Sequence, residues 1–479
     1  MKKILLSILV VSFLISSCFE KQMDFAPTDL VTPDKVFSTE EGAEAALIGV
    51  YSRFSPGWYY YPVINLEAYG NKDWYPGANQ GPLTVIYDTH LYSSANKGIR
   101  TAYKRLWSTI TFANAFLRNL SEYNTHFSDP KRKEQVIGEA RFLRAYVYFE
   151  LVQIWGPVPL ITDEKDYGIL YPANSTIPEI YSQIIADLEY CIEKLPKAGT
   201  YEPGRATKGA AQGILAKVLM TQKDEEQLKQ PSNEEIQRAV DLMKDVMSQY
   251  SLVEVYDDLW DRTKFNNTEQ IFSVASSNIG SGNGIHWPKY ASHDYEPTKR
   301  LYDSYDFEKE YNGKFYTDVR RESTIYYNKI SKKYRDNKYR RAGQSAGGPN
   351  QTTANLYALR LADIILLRAE GLNKLDYEAH KNEIIEMINM VRNRAGAVPA
   401  SLEECSNKET TAAVIAEERH KELFFEFQDF YDLKRNNKLI ETFGSNGENK
   451  GLNNSFQRLW PFPESEINKN HNLKQNAGY

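Results

Sequence analysis

Aromatic residues are concentrated in two segments that do not follow a helical pattern. The first cluster lies among Gly, Pro and Asn residues and consists of Trp58, Tyr59, Tyr60, Tyr61, Tyr69, Trp74 and Tyr75. The second cluster follows a glycine-rich stretch and consists of Trp287, Tyr290, His293 and Tyr295. Flat aromatic rings stack on the apolar C–H faces of sugar rings, and neighbouring polar side chains hydrogen-bond to the hydroxyl groups. The two segments therefore have the residue types of a carbohydrate-binding surface.

We expect the two segments to form one shallow binding face. The candidate ligand contacts are Asp73, Trp74, Tyr75, Asn79, Trp287 and Tyr290. The alternative is that the rings fill a small core beneath long loops, or that they contact another protein. A shallow, hydrated sugar site binds weakly, with a Kd on the order of micromolar to millimolar.

Other kinds of chemistry leave no comparable signature in the sequence. The chain has no GxxxxGK[ST], HExxH or CxxC motif. Asp and Glu are abundant, but no local pattern singles out a pair of catalytic carboxylates. Residues 329–341 carry seven basic side chains, which we expect on a solvated strand or turn, with a site for an acidic ligand as the alternative. The sequence thus predicts no catalytic residue, no metal ligand and no cofactor.

The first eighteen residues predict export followed by lipid attachment. Lys2 and Lys3 precede a 12-residue apolar core, which is shorter than the about 20 residues of a spanning helix. Small residues then lead to Cys18 in a pattern like the bacterial lipobox, where the thiol receives a diacylglycerol. Two or three acyl chains on Cys18 would anchor the protein stably. An ordinary secretory signal with a chance cysteine is the alternative.

The composition is that of a globular protein. Among 479 residues, 42% are hydrophobic and 25% are charged, which excludes a mainly disordered chain. The formal net charge of −5 is unfavourable for binding nucleic acid. After the N-terminal segment no apolar run is long enough for a polytopic membrane protein. Cys191 and Cys405 could pair in an oxidising compartment or remain as buried thiols.

Apolar residues recur at helical spacing in most of the remaining chain. The predicted helices cover about 38–54, 103–120, 134–155, 178–195, 207–219, 233–249, 357–373, 381–394 and 411–427. Ser38 and Thr207 are expected to cap two of them. Short links between helices that share apolar faces predict antiparallel pairs. The expected fold is mainly α, a tetratricopeptide-like α-solenoid with long irregular loop insertions and a few short β-strands, although no clean repeat of about 34 residues is present.

Two long excursions interrupt the helices, and loops of this length are usually functional. Residues 55–100 and 251–356 are rich in Tyr, Asn, Ser and Gly, with β-like runs such as 271–274. The predicted parts are a signal peptide (1–17), a lipid-anchored tether (18–32), an N-terminal helical part (33–250), and a C-terminal part (251–479) that includes the loop-rich insertion and a final segment wrapped over the helices.

Residues 139–160, EARFLRAYVYFELVQIWGPVPL, resemble the SusD/RagB family of surface lipoproteins from Bacteroidetes. Further blocks that resemble the family lie at 204–211, 360–370, 389–396, 418–435, 460–464 and 470–479. The blocks occur in the family's order and span nearly the whole mature chain. One departure is at 426–429, where this chain has Glu-Phe-Gln-Asp and the family often has Glu-Gly-His-Arg, a change that affects local packing.

The resemblance implies a non-enzymatic nutrient receptor of the outer membrane that faces the cell exterior. Such proteins have a core of four tetratricopeptide-like repeats and cap a SusC-like TonB-dependent transporter. They capture oligosaccharides, or in some members peptides, and deliver them to that channel. The family places an Asp-containing loop near its ligand where residues 71–75 lie, and a second ligand loop near Trp287. A peptide receptor of the same architecture and a surface-anchored glycoside hydrolase are the alternatives, and the aromatic loops favour sugar over peptide.

The charged residues in the matching blocks are expected to be structural. Asp363 and Glu370 lie seven residues apart on one face of a predicted helix, among Leu and Ile. Buried carboxylates need cationic partners or hydrogen-bond donors. We expect Arg419, Arg435 and Arg141 to provide them.

Overall fold

The fold of the chain is mainly helical. The computed structural model describes residues 32–54, 72–76, 90–162, 169–201, 204–221, 229–261, 264, 266–274, 295–338, 356–426, 428–444 and 451–479. The helices are α1 (Pro33–Val36), α2 (Glu40–Arg53), α3 (Lys97–Glu122), α4 (Pro130–Trp155), α5 (Ile177–Lys194), α6 (Lys208–Met220), α7 (Asn233–Met247), α8 (Lys299–Ser304), α9 (Arg320–Thr324), α10 (Leu361–Ala395), α11 (Lys408–Leu423), α12 (Asp429–Arg435), α13 (Leu439–Phe443) and α14 (Glu464–Ile467). The strands are β1 (Trp74–Pro76), β2 (Gln270–Val274), β3 (Tyr295–Pro297), β4 (Lys309–Tyr311), β5 (Lys314–Tyr316), β6 (Ile325–Asn328), β7 (Lys333–Asp336) and β8 (Leu356–Arg360).

The long helices stack in chain order. Each helix from α2 to α7 packs against the next one along the chain, and α10 packs against both α7 and α11. A succession in which each helix contacts its sequence neighbours is the architecture of a helical solenoid. The predicted fold class, a tetratricopeptide-like solenoid with few short strands, is confirmed.

Side-chain caps determine where the helices begin. Thr207 caps α6 as predicted, because its hydroxyl accepts the backbone N–H of Ala210 at 3.2 Å. At α2 the predicted cap is wrong by one residue. Thr39, not Ser38, accepts the N–H of Gly42, at 3.1 Å. The hydroxyl of Ser38 instead donates to the carbonyl of Lys35 at the end of α1.

The segment around residue 360 differs from the sequence prediction. Residues 356–360 form β8, which pairs antiparallel with β2, so the predicted helix start at 357 is wrong. All five residues of β8 are buried, and periodicity cannot distinguish a short buried strand from a buried helical turn. The two helices predicted at 357–373 and 381–394 correspond to the two parts of α10, which meet at a kink where the backbone of Asp376 is non-helical.

The predicted ion pairs on α10 are confirmed for two of the three arginines. Arg419 lies 2.7 Å from Asp363, and Arg435 lies 2.7 Å from Glu370. Arg141 has a different contact, since its guanidinium lies over the ring of Tyr190 at 4.2 Å. The expectation that Arg141 pairs with these carboxylates is therefore wrong.

A larger set of charges is buried where the 251–356 insertion meets the C-terminal helices. We call this set the central ion cluster; it consists of Glu269, Asp318, Arg320, Lys338, Arg360, Arg392, Arg394, Glu418, Glu422 and Glu426. Arg360 contacts Glu426 and Glu269 at 2.6 Å and Glu422 at 2.7 Å. The cluster links β8 to α11 and to the segment before β2. Cations and carboxylates are equal in number within it, so their charges balance.

The C-terminal residues pack against the end of α4. The backbone N–H of Trp460 donates to the carbonyl of Ile154 at 2.8 Å. The indole N–H of Trp155 donates to the carbonyl of Pro461 at 3.1 Å, and Asn476 donates to the carbonyl of Trp155 at 2.9 Å. These contacts join the C-terminal segment to the N-terminal helical part in one hydrophobic core.

The remaining sequence expectations concern cysteines and the membrane. Cys191 and Cys405 are both buried and unpaired. Of the two alternatives, a disulfide or buried thiols, the structure has the buried thiols. Cys191 donates through Sγ to the carbonyl of Gly138 at 3.0 Å. Within the ranges given above, no helix combines the length and the apolarity that crossing a membrane requires.

We expect Arg360→Met to lower the free energy of unfolding by about 3–5 kcal/mol, because it leaves buried carboxylates without their cation. Equilibrium urea denaturation of the purified protein measures the loss. The matched control is Arg238→Met, whose partner Glu189 is half-exposed at 2.7 Å and whose loss should cost at most about 1 kcal/mol. Equal losses in the two variants would contradict the structural role of the cluster.

Candidate functional site

The two aromatic-rich segments meet at one short β-ladder. β1 pairs antiparallel with β3, with Trp74 opposite Pro297, Tyr75 opposite Glu296 and Pro76 opposite Tyr295. β1 belongs to the first segment, and β3 directly follows the second. The structure therefore brings together the bases of the two segments that were predicted to form one face.

Several predicted residues lie outside the described residues. These are Asn79, Trp287, Tyr290 and the lipidation candidate Cys18, together with most of the two aromatic clusters. The backbone of Tyr75 is described as the centre of β1. The roles predicted for these five residues remain predictions.

Trp74 lies in the protein interior. Its side chain is 2% exposed, and its ring packs edge-on against Phe425 with centroids 4.6 Å apart. Phe424 covers it at a centroid distance of 6.3 Å. The expectation of Trp74 as an open stacking platform is therefore corrected. The ring fixes β1 to the residues that follow α11, and no face of it is open to a sugar in this arrangement.

Asp73 is also buried, and its carboxylate is fully engaged. It accepts hydrogen bonds from the Thr298 hydroxyl, from Arg300 Nε at 3.0 Å and from His420 Nε2 at 2.9 Å. Burial alone would raise the pKa of Asp73, but the hydrogen bond and the charge of His420 outweigh it and hold the pKa well below its usual range. The structure thus assigns Asp73 an internal role, in place of the predicted direct ligand contact.

His420 connects the ladder to the scaffold through two carboxylates. Its Nε2 faces Asp73, and its Nδ1 lies 2.8 Å from Asp429. Burial alone would lower the pKa of His420. The two carboxylates of Asp429 and Asp73 have the larger, opposite effect and raise this pKa to about 9. At neutral pH the imidazolium therefore donates to both carboxylates. We call Asp73, His420 and Asp429 the His420 bridge.

The His420 bridge was not found by sequence reasoning, although one signal pointed to it. Asp429 lies in the 426–429 block, where this chain departs from the SusD/RagB pattern. That departure supplies the carboxylate that holds Nδ1 of His420. Asp429 thus contributes an ion pair at the base of the ladder.

A second charged group borders the ladder on the other side. Glu296 of β3 contacts Lys333 Nζ, and its carboxylate lies 3.6 Å from Arg335 Nη1. Both cations belong to the basic run at 329–341, which was expected to be a solvated face. Lys329 and Lys332 are exposed as expected, whereas Lys338 is completely buried. Burial lowers the pKa of the Lys338 amine to about 8.

The carboxylates beside the ladder are paired within the protein. The carboxylates beside the ladder, Asp73 and Glu296, are each held by cations, so they act as fixed hydrogen-bond acceptors. Across the described part of the chain, no group of three or more His, Cys, Asp or Glu side chains is arranged to hold a metal ion.

Two protein families match the sequence. Residues 259–479 match the SusD family. Residues 75–220 match a family described as "Starch-binding associating with outer membrane". Together the two matches include β3, all of β1 except Trp74, and the α3–α6 part of the solenoid.

Relatives of similar length also match. "SusD-like protein P2" of Formosa agariphila is 26% identical over the whole of both chains. A SusD-like protein of Bacteroides ovatus is 26% identical over 90% of this chain and 82% of its own length.

Solved structures share the fold. A SusD superfamily protein from Bacteroides vulgatus superposes with a TM-score of 0.76 at 22% identity, covering 92% of this chain and all of that one. A laminarin-binding SusD-like protein superposes with a TM-score of 0.74 at 24% identity and the same coverage.

We expect the His420 bridge to make stability depend on pH. The pKa of His420 is raised from 6.5 to about 9, so its stabilisation is complete below pH 6.5 and is lost as pH rises through 9. A shift of this size corresponds to about 3 kcal/mol. Asp73 acts in the opposite sense, because its pKa is lowered and its contribution is lost under acid conditions.

The measurement compares unfolding free energies of the wild type and His420→Gln from pH 5 to pH 10. The difference should be largest near pH 6 and should shrink towards pH 10. Asp429→Asn, which keeps Asp73 in place, should show a smaller difference with the same trend. A difference that stays constant over this range would refute the charged bridge.

Proposed function

This chain belongs to the SusD/RagB family, and from that membership we propose that it is a non-enzymatic receptor that binds oligosaccharides at the cell surface. Family members are binding proteins that associate with the outer membrane. One structural relative is described as laminarin binding, which supports a glycan as the ligand. The bound oligosaccharide would then pass to a SusC-like TonB-dependent transporter.

The pairing of β1 with β3 is the observation that carries the proposal. The ladder holds the bases of the two aromatic-rich segments side by side. Trp74 and Asp73 fix the ladder to the residues around α11. Rings on the loops beyond the ladder then start from a rigid base, which reduces the conformational entropy lost when a ligand binds.

The roles proposed for the site residues follow from the difference between the rigid base and the loops beyond it. Tyr75, Asn79, Trp287 and Tyr290 belong to the ligand face, and the aromatic rings among them stack on sugar rings. Asp73 and Trp74 hold the base on which that face is built.

The membrane anchor is a separate part of the proposal. Acylation of Cys18 would place the receptor on the outer membrane, facing the cell exterior. Residues 18–32 would then act as a tether that lets the receptor cover the transporter. The lipobox-like sequence before Cys18 supports this part.

We expect Trp287→Ala and Tyr290→Ala to weaken glycan binding at least tenfold, or about 1.4 kcal/mol, with unchanged thermal stability. Trp74→Ala should instead lower the free energy of unfolding by about 3–5 kcal/mol, because it leaves a cavity beside Phe425. Isothermal titration calorimetry with laminarin and other oligosaccharides measures affinity, and thermal denaturation measures stability.

Two outcomes would count against the receptor. Unchanged affinity in both loop variants, with folding intact, would remove Trp287 and Tyr290 from the ligand face. Release of shorter sugars from the oligosaccharide by the purified protein, detected by chromatography, would show a hydrolase.

We expect Cys18→Ala to release the protein from the membrane, because the acylated thiol would be lost. Fractionation of cells that express the wild type or the variant measures the membrane-bound share. Cys191→Ala is the control, since that thiol is buried in the solenoid and should not change the location. Equal membrane association of Cys18→Ala and the wild type would contradict the anchor.

A further inference from the structure

The hairpin of β6 and β7, which we call the basic hairpin (residues 325–336), lies beside the ladder. β7 packs against β3, and Lys333 and Arg335 of β7 both contact Glu296. Since these two cations are two residues apart in a strand, they lie on the same face. Glu296 is the residue paired with Tyr75. The cations therefore lie next to the proposed ligand face.

The basic hairpin has more positive than negative charge. It carries Lys329, Lys332, Lys333 and Arg335 against Asp336, and the adjacent Glu296 adds one more carboxylate. Four cations thus face two carboxylates, whereas the whole chain has a net charge of −5. A local excess of positive charge on an acidic protein attracts anionic ligands.

The cations of the basic hairpin differ in how far they are open to a ligand. Its side chain is 13% exposed, and its Nη1 is 3.6 Å from the Glu296 carboxylate. Among the described residues that nitrogen has no hydrogen-bond partner. Because that nitrogen is buried, Arg335 positions Glu296 and does not itself face a ligand. Lys329 and Lys332 are exposed at the turn and form no ion pair with any described residue.

The basic hairpin is held rigidly at both ends. Arg320 in the helix before β6 and Lys338 after β7 belong to the central ion cluster. On the hairpin, the ring of Tyr334 contacts Tyr327 at 5.1 Å and Tyr302 of α8 at 4.9 Å between centroids. Cations presented on a fixed frame lose little entropy when they bind a ligand.

We propose that the basic hairpin binds the negatively charged groups of the ligand, and that the ligand is therefore an anionic glycan, with carboxylate or sulfate groups on its sugars. The inference rests on the proposed function and specifies the class of oligosaccharide. Guanidinium and ammonium groups bind carboxylate and sulfate oxygens through charge-assisted hydrogen bonds.

The test titrates the full-length protein with oligogalacturonate, a sulfated galactan oligosaccharide and a neutral laminarin oligosaccharide. We expect at least one anionic probe to bind tenfold or more tightly than the neutral one in low salt. We also expect that preference to fall in 0.5 M NaCl, because salt screens exposed charges. Vesicles that contain anionic lipid form a further arm of the experiment.

Two sets of variants locate the effect on the basic hairpin. Lys329→Gln with Lys332→Gln changes exposed side chains only, and should weaken binding of the anionic probe about threefold while leaving neutral binding unchanged. Adding Lys333→Gln to this pair removes a further, partly exposed cation while Arg335 stays beside Glu296, and should weaken anionic binding about tenfold in total. The control is Lys381→Gln, an exposed lysine paired with Glu378 on α10 at 3.0 Å, which should change neither affinity.

The possible failures are distinguishable. Neutral binding that equals or exceeds anionic binding would overturn this inference and leave the receptor function intact. Binding of anionic vesicles without binding of either anionic oligosaccharide would also overturn it, since the hairpin would then be a membrane contact. If no oligosaccharide binds at all, the proposed function fails and this inference fails with it.

Discussion

The constraint on which the rest of the structure depends is the cost of burying charge. The central ion cluster removes cations and carboxylates from water together. The desolvation cost of each buried charge is offset only while its partners stay in contact. Arg360 and Arg320 each bind three carboxylates, two of which lie on α11 or directly after it. A shift of the insertion relative to α11 would separate several pairs at once. The cluster therefore specifies one position for the loop-rich insertion on the helical solenoid.

The candidate site is built outward from that position. α11 contributes Glu418 and Glu422 to the cluster and His420 to the ladder, so one helix serves both. Trp74 packs against the residues directly after the same helix. The ladder is therefore attached to the helix that carries part of the central ion cluster, although β1 and β3 are far apart in the sequence.

Local features of the sequence predicted much of the fold and little of how the site is anchored. Helical periodicity and the Thr207 cap depend on neighbouring residues, which is why they could be recognised. The burial of Trp74 could not be, because a ring among Gly and Pro has no periodicity that tells which side faces the core. His420 lies 347 residues from Asp73, and no spacing rule connects such partners. The presence of two aromatic segments was visible in the sequence, whereas their junction required the pairing of β1 with β3.

The shortness of that ladder has an evolutionary consequence. Three residue pairs of the ladder, held by the Trp74 ring and the Asp73 carboxylate, fix where the two loops start. A longer surface loop adds only a small entropic cost, so an insertion after β1 or before β3 need not change the ladder itself. Descendants of such a protein could change their ligand specificity by exchanging loop residues alone, while the solenoid and its buried charges are inherited unchanged.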